Sequence, residues 1–442
     1  MAHARLRGTG KHRAVKPVKG ARQAVALATV LSAAGVQAGI SADVASAADT
    51  PTWTEGPIFN NPLGTTEQQY AIRTRLVALT DAALPGSTIK VAVYHVWEQT
   101  IADALIRAKS RGVNIKIILD SSSVKDRPTN PIYGQLAAAF GTNTAASSYV
   151  TLCPTDKSCL GDPKFGKSIM HNKFWLFSAV QGATNVVVQT TANSTPSAST
   201  RFFNDALQLP NNPVLYNAYA DYFDDMAAKQ WGDWDYRTVS NGHYKAYFYP
   251  RAGTTNSTDT LYSVLNNVSC TYKDSAGATK HTIVRAAIFQ ITRQAIADKL
   301  VALKKAGCTV SIEYATSDSG TWTSMHSTGA PPRRCYNDDR DPLNPGTKLG
   351  TPFIIHTKYV LIDGAYDGSL NKITFTGSQN ASNPALREND EAYVKIDDDS
   401  VHNTYVTHFN QVWNVAYPGT NDNTNLCKGV NTLPQDGEPK TT

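Results

Sequence analysis

Two short stretches hold the residues best suited to chemistry on a charged substrate. In the stretch Phe353 to Gly364 an imidazole and an ammonium, His356 and Lys358, stand two positions apart. The spacing returns as His171 and Lys173 in the stretch Ile169 to Phe177. Ile, Val, Phe and Tyr dominate, so both stretches read as β-strands, the longer one closed by Asp363-Gly364. Alternation along a strand puts a His and a Lys two apart on one side, with Cα atoms about 6.6 Å apart. Such a pair suits a phosphoryl group: the imidazole attacks or protonates, and the ammonium holds the charged oxygens. Asp363 has the opposite parity and lies at the strand's end, which makes it a supporting or turn residue. A single His-x-Lys occurs by chance in any proteome; two copies placed alike within a repeat do not.

The elements around the two pairs do form a repeat. Strand Ile89–Val96, helix Ile101–Gly112 and strand Val113–Leu119 recur as Ile283–Phe289, Ile296–Gly307 and Cys308–Ile312. At an offset of 195 the segments share Ile101/Ile296, Ala102/Ala297, Asp103/Asp298, Leu105/Leu300, Lys109/Lys304, Gly112/Gly307 and Ile117/Ile312. Shared apolar positions are common between amphipathic helices, but a shared Gly stop followed by a shared strand marks a duplicated α/β unit. After each His-x-Lys stretch comes another strand, Asn185–Thr190 or Lys372–Thr376, then a small-residue loop with an Asn, Asn193 or Asn380. Each loop leads to an acid at the start of a further strand, Asp205 or Glu391, and then to an aromatic-rich helix, near Tyr216 to Trp231 or His402 to Trp413. The expected fold is therefore α/β. Two similar lobes, 48–240 and 241–442, each carry a mostly parallel or mixed sheet flanked by helices.

Residues 1–47 read as a secretory signal: a basic start from Arg5 to Arg22, an apolar run from Ala24 to Ile40, and an A-x-A site at Ala45–Ala47. An N-terminal membrane anchor is the rival reading of this segment, disfavoured by the Ser, Gly and Gln that interrupt the run. The segment carries seven of the 42 Lys and Arg and one of the 36 acids, so residues beyond it have 35 of each and no formal net charge. That balance gives no support to a broad basic surface for nucleic acid. No later run has the length of a membrane span. All six cysteines, Cys153, Cys159, Cys270, Cys308, Cys335 and Cys427, lie beyond the signal. In an oxidising compartment an even count favours three disulfides, with Cys153 and Cys159 closing a local loop. Zinc is the alternative, but no C-x-x-C pair is present.

His356-x-Lys358 with Asp363, followed by Gly377-Ser378-x-Asn380, resembles the phospholipase D superfamily signature, which occurs twice in monomeric members of that family. The first copy departs from it: Ser178 stands at the place of Asp363, and Thr191-Ala192 at the place of Gly377-Ser378. The resemblance spans residues 70 to 415. It implies a monomer in which the lobes meet at one site on a pseudo-two-fold axis, without metal or cofactor. By analogy His171 is the nucleophile that forms a phosphohistidine and His356 the acid and base. Lys173, Lys358, Asn193 and Asn380 bind phosphate oxygens, and Asp205 and Glu391 orient the histidines through the second ring nitrogen. Asp363 and Ser178 support the motif without touching the phosphate.

The implied activity is a secreted phosphodiesterase that cleaves phospholipids on the headgroup side at a membrane or micelle surface, with transfer to alcohols as a variant. A nuclease of the same superfamily and a non-catalytic binding protein are the rivals. Segments 120–168 and 315–350 are expected to hang near the site mouth, the second, with Trp322, Arg333 and Arg334, as a lid or a headgroup selector. Trp231, Trp234 and Trp413 are expected to pack in the lobe core, and His95 to be structural.

Overall fold

A computed structural model describes residues 51–418, apart from 162–166, 232–233 and 345, together with 427–428. The segment read as an export signal lies outside the described residues. Strands β1 (Gly56–Asn60), β2 (Thr88–Val93), β3 (Asn114–Leu119), β4 (Tyr149–Leu152), β5 (Lys173–Val180), β6 (Ala183–Thr190) and β7 (Phe202–Leu209) come from the first half. Next come β8 (Arg237–Asn241), β9 (Tyr244–Phe248), a ribbon of β10 (Thr271–Lys273) and β11 (Thr279–His281), β12 (Ile283–Ile291), β13 (Thr309–Ser317) and β14 (Arg333–Cys335). The chain ends with β15 (Asn337–Arg340), β16 (Lys348–Ile355), β17 (Lys358–Tyr366), β18 (Ser369–Gly377), β19 (Ala392–Asp397) and β20 (Tyr417–Pro418).

Two large sheets result. One runs β15-β16-β7-β6-β5-β2-β3-β4, with β1 also on β7; the other runs β20-β14-β13-β12-β17-β18-β19-β9-β8. Both contain the duplicated unit. In each, a parallel pair (β2 with β3, β12 with β13) is joined through a helix and flanked by an antiparallel strand (β5, β17). The joining helices, Gln99–Ser110 and Gln294–Lys305, end at the expected stops, where Gly112 and Gly307 take φ of +89° and +99°. A residue with a Cβ is disfavoured in that conformation, so glycine closes both helices. Helices on the outer face of each sheet bury one apolar cluster apiece. A third cluster joins residues of both sheets, among them Phe174, Leu176, Tyr359 and Leu361, with the aromatic helices Pro213–Ala228 and Asp399–Val415. Trp234 and Trp413 pack against that cluster, whereas Trp231 is 39 % exposed, donating from Nε1 to the Ser158 carbonyl with Lys157 Nζ over its ring.

Several boundaries differ from expectation for one reason: the halves exchange strands. β15 and β16 follow residue 241 yet extend the first sheet, and β8 begins at Arg237 yet belongs to the second. The segment 315–350 is therefore no free lid. It holds the helix Ser319–Met325 with Trp322, and strand β14 with Arg333 and Arg334. The strands expected over 169–177 and 353–363 are also broken at their histidines. β16 ends at Ile355, in parallel register with Phe202 and Phe203, and β17 starts at Lys358 in the other sheet. In the first half, Met170 bridges Asp390 and β5 starts at Lys173. Both sides of these stretches are buried, so their apolar pattern runs on without marking the change of sheet. Asp363 sits inside β17, opposite Ile283 and Lys372, because that strand continues to Tyr366.

The cysteines form three disulfides, Cys153–Cys159, Cys270–Cys308 and Cys335–Cys427. Among the described residues no helix is long and apolar enough to cross a membrane.

Candidate active site

The broken strands fix the histidines. The His171 N–H donates to the Asp390 carbonyl and the His356 N–H to the Phe203 carbonyl, both at 3.0 Å. Each half thus supplies the seat for the other half's histidine. The two amides before His171 are held as well: Met170 donates to Asp120 Oδ2 at 2.8 Å and Ile169 to Asn389 Oδ1 at 3.1 Å. Buried N–H groups outside a ladder need such acceptors. Asp390 contributes further, since its carboxylate accepts from the amides of Cys159, Leu160 and Gly161 at 2.7, 3.1 and 3.1 Å. The Cys153–Cys159 disulfide closes the loop that presents those amides. Although Cys153, Cys159 and Asp390 come together, the sulfurs are bonded to each other and unavailable to a metal.

His171, Lys173, His356 and Lys358 are at most 1 % exposed. Each lysine Nζ returns to its own motif, Lys173 to the His171 carbonyl at 2.8 Å and Lys358 to the His356 carbonyl at 2.5 Å. Each also lies over an aromatic ring, Tyr94 for Lys173 at 5.3 Å and Phe289 for Lys358 at 5.1 Å. Tyr94 and Phe289 are 195 residues apart, the offset of the repeat, so that spacing could have found them. His95 stacks on Tyr94 and Trp97 with ring centroids 4.0 Å apart, and its Nε2 meets Ser122 Oγ at 2.9 Å.

His171 Nδ1 meets Glu391 Oε1 at 2.9 Å, and His356 Nδ1 meets Asn204 Oδ1 at 2.8 Å. Burial, then the charges of Lys173 and Lys358 and the neighbouring His356 and His95, hold the His171 pKa well below its usual value. Burial pushes the Glu391 carboxyl up to about 8, against the pull of Lys173 and other neighbours. Both directions have one cause: burial makes charge on either member of the dyad costly. His171 Nε2 has no hydrogen-bond partner among the described residues. The same is true of both side-chain polar atoms of Asn193, which is 4 % exposed. Asn380 lies at the matching place in the second half, 3 % exposed. Because both lysines act on one imidazole, the two half-motifs share a single electrostatic neighbourhood.

Residues 78–227 and 275–413 match the family described as "Cardiolipin synthase, PLD-like domain". The chain belongs to the phospholipase D-like family. Among curated proteins none matches it. Its fold is similar to that of phosphatidylserine synthase from Haemophilus influenzae Rd KW20, 14 % identical, with a TM-score of 0.54 over 86 % of this chain and 91 % of that one. Polyphosphate kinase from Porphyromonas gingivalis gives 11 % identity and a TM-score of 0.50, covering 81 % of this chain and 50 % of the kinase. The chain therefore spans half the length of the kinase. Nuc from Salmonella typhimurium, a phospholipase D family member, is 20 % identical over 40 % of this chain and 96 % of its own length, with a TM-score of 0.30.

Within this phospholipase D-like fold one expected partner changes identity. Asp205 does not reach a histidine. Its Oδ2 accepts from Thr376 Oγ1 at 2.5 Å and Tyr405 OH at 2.9 Å, and its Oδ1 from Thr191 Oγ1 at 3.2 Å. Buried among them with a raised pKa, it ties β7 to β18 and to the helix Asp399–Val415. The structural counterpart of Glu391 is Asn204. Matching the halves by acid identity aligned Asp205 with Glu391, whereas counting from the loop asparagines aligns Asn204, since Asn193 to Asn204 and Asn380 to Glu391 both span 11 residues. Ser178 and Asp363 make no hydrogen bond to His171 or His356 among the described residues: Ser178 Oγ accepts from the Thr88 N–H at 2.8 Å at the edge of β2, and Asp363 lies opposite Ile283 and Lys372.

This exchange predicts unequal effects at neighbouring positions. Asn204→Ala should lower kcat by about 10- to 100-fold, because it removes the acceptor that fixes the His356 ring. Asp205→Asn should stay within about threefold, because an amide keeps the shape of a carboxyl already biased toward its neutral form. Equal losses in steady-state kinetics of the two variants would overturn the assignment.

Proposed function

We propose that this chain is a secreted phosphodiesterase that cleaves phospholipids on the headgroup side through a phosphohistidine. The observation that carries the reading is the pair of buried His–Lys motifs, seated reciprocally, with each histidine fixed through Nδ1 so that Nε2 is the working nitrogen. In the first step His171 Nε2 bonds to phosphorus while the phosphorus–oxygen bond to the headgroup breaks. His356 gives its proton to the departing oxygen. In the second step His356 takes a proton from water or an alcohol, the new oxygen bonds to phosphorus, and the phosphorus–nitrogen bond breaks. Lys173, Lys358, Asn193 and Asn380 hold the phosphoryl oxygens as charge develops. The A-x-A-bounded N-terminal segment supports export, and the charge balance beyond it favours lipid over nucleic acid.

The test is product analysis with phosphatidylcholine and excess ethanol. Phosphatidylethanol should appear alongside phosphatidic acid, with choline released in both cases, and His171→Ala should lose both products together. Choline release with no alcohol adduct at any ethanol concentration would remove the exchangeable intermediate. Cleavage of a nucleic-acid diester with no lipid turnover would replace the lipid reading by a nuclease.

A further inference from the structure

The duplicated helices begin in opposite ways. The helix Gln99–Ser110 has Glu98 at its N-cap, paired with Arg73 at 2.6 Å, and the space beside it measures about 10 Å³, enough for no more than one water. The helix Gln294–Lys305 has Arg293 at the equivalent N-cap, 195 residues on, paired through Nε with Asp259 Oδ2 at 3.0 Å. The space beside it is a cavity of about 540 Å³. Duplication therefore left one closed copy of this corner with an acid at the N-cap and one open copy with an arginine there.

The open corner has the elements of an anion site. Gln294 and Ala295, the first two residues of a 12-residue helix, line the cavity, and their N–H groups have no acceptor among the described residues. Such orphan amides and the positive end of the helix dipole favour a negative charge. Arg293 also lines it, is only 4 % exposed, and its Nη2 has no hydrogen-bond partner among the described residues. Arg387 stiffens the opposite wall, donating to the carbonyls of Arg251, Ala252, Thr255 and Thr258. Of the two acids in the lining, Asp259 is engaged by Arg293 and by the Tyr262 N–H, and partial burial raises the Glu388 pKa above its usual value.

We propose that this cavity binds an anion, a phosphate or carboxylate group, against the Gln294 and Ala295 amides and the Arg293 guanidinium. It goes beyond the diesterase reading, because binding is measured directly and does not require turnover. The anion comes either from a second acidic group on the substrate or from free phosphate.

Calorimetric titration of inorganic phosphate into the full-length protein tests the site. Ala295→Glu places a carboxylate in the first helical turn, where the dipole favours it, so the fold should hold. One class of phosphate site should weaken at least tenfold relative to wild type, while phosphate at the histidines is unaffected. Gln294→Glu checks the result independently with almost unchanged shape. Phosphate affinity equal to wild type in both variants, or no phosphate binding by wild type, overturns the proposal. A rise in KM confined to diesters with a second acidic group assigns the anion to the substrate. A phosphate response shared by all diesters assigns it to free phosphate; either result supports the site.

Discussion

His171→Ala and His356→Ala should each reduce phosphodiester turnover by at least about 10⁴-fold, and the double variant should be little worse than either single. The reason is geometric. Each imidazole is seated by a carbonyl of the opposite half and fixed through Nδ1 by a side chain of that same opposite half. Neither half can bond to phosphorus and manage the proton by itself. Removal of one histidine breaks the cycle wherever the other stands, so the losses overlap instead of adding. Because each ring is only one element of a large core, melting temperatures should move far less than rates. More than about 1 % of wild-type activity in either folded single variant would mean that the two motifs do not form one catalytic unit.

The second large effect belongs to Glu391. Glu391→Gln should cost about 10³-fold in kcat, because a neutral amide cannot balance the positive charge that His171 gains when Nε2 bonds to phosphorus. The pH profile should carry the signature. His171 has a lowered pKa, so Nε2 stays unprotonated below the ordinary histidine range, and the acid limb of kcat/KM should lie below pH 6.5. Loss of the carboxylate disfavours the imidazolium further, so in Glu391→Gln that limb should move to still lower pH. A limb moving to higher pH would show that Glu391 does not face the ring in its working state.

Much of this architecture could be read from the chain. The 195-residue offset placed the two β-α-β units and their glycine stops, since spacing survives duplication when identities drift; the rings over the lysines keep the same offset but were passed over. The His-x-Lys pairs were legible because a charged pair in an apolar run is conspicuous. The change of sheet at His171 and His356 was not legible, because alternation encodes which face a side chain takes and says nothing of which sheet continues the strand. Nor was Asn204, since the acid beside it attracted the assignment. Asp205 sits one residue on, and in an extended chain one residue is the difference between two faces.

Carrying both copies in one polypeptide has a consequence for how they could diverge. In a two-fold dimer of identical subunits, any substitution behind one catalytic ring is imposed on both. Here the ring at 171 keeps a carboxylate behind it while the ring at 356 has an amide, and the corner at 98 is shut while that at 293 stands open. Tandem fusion thus let the surroundings of the two histidines change independently, with the exchanged strands keeping the copies in fixed alignment as they diverged.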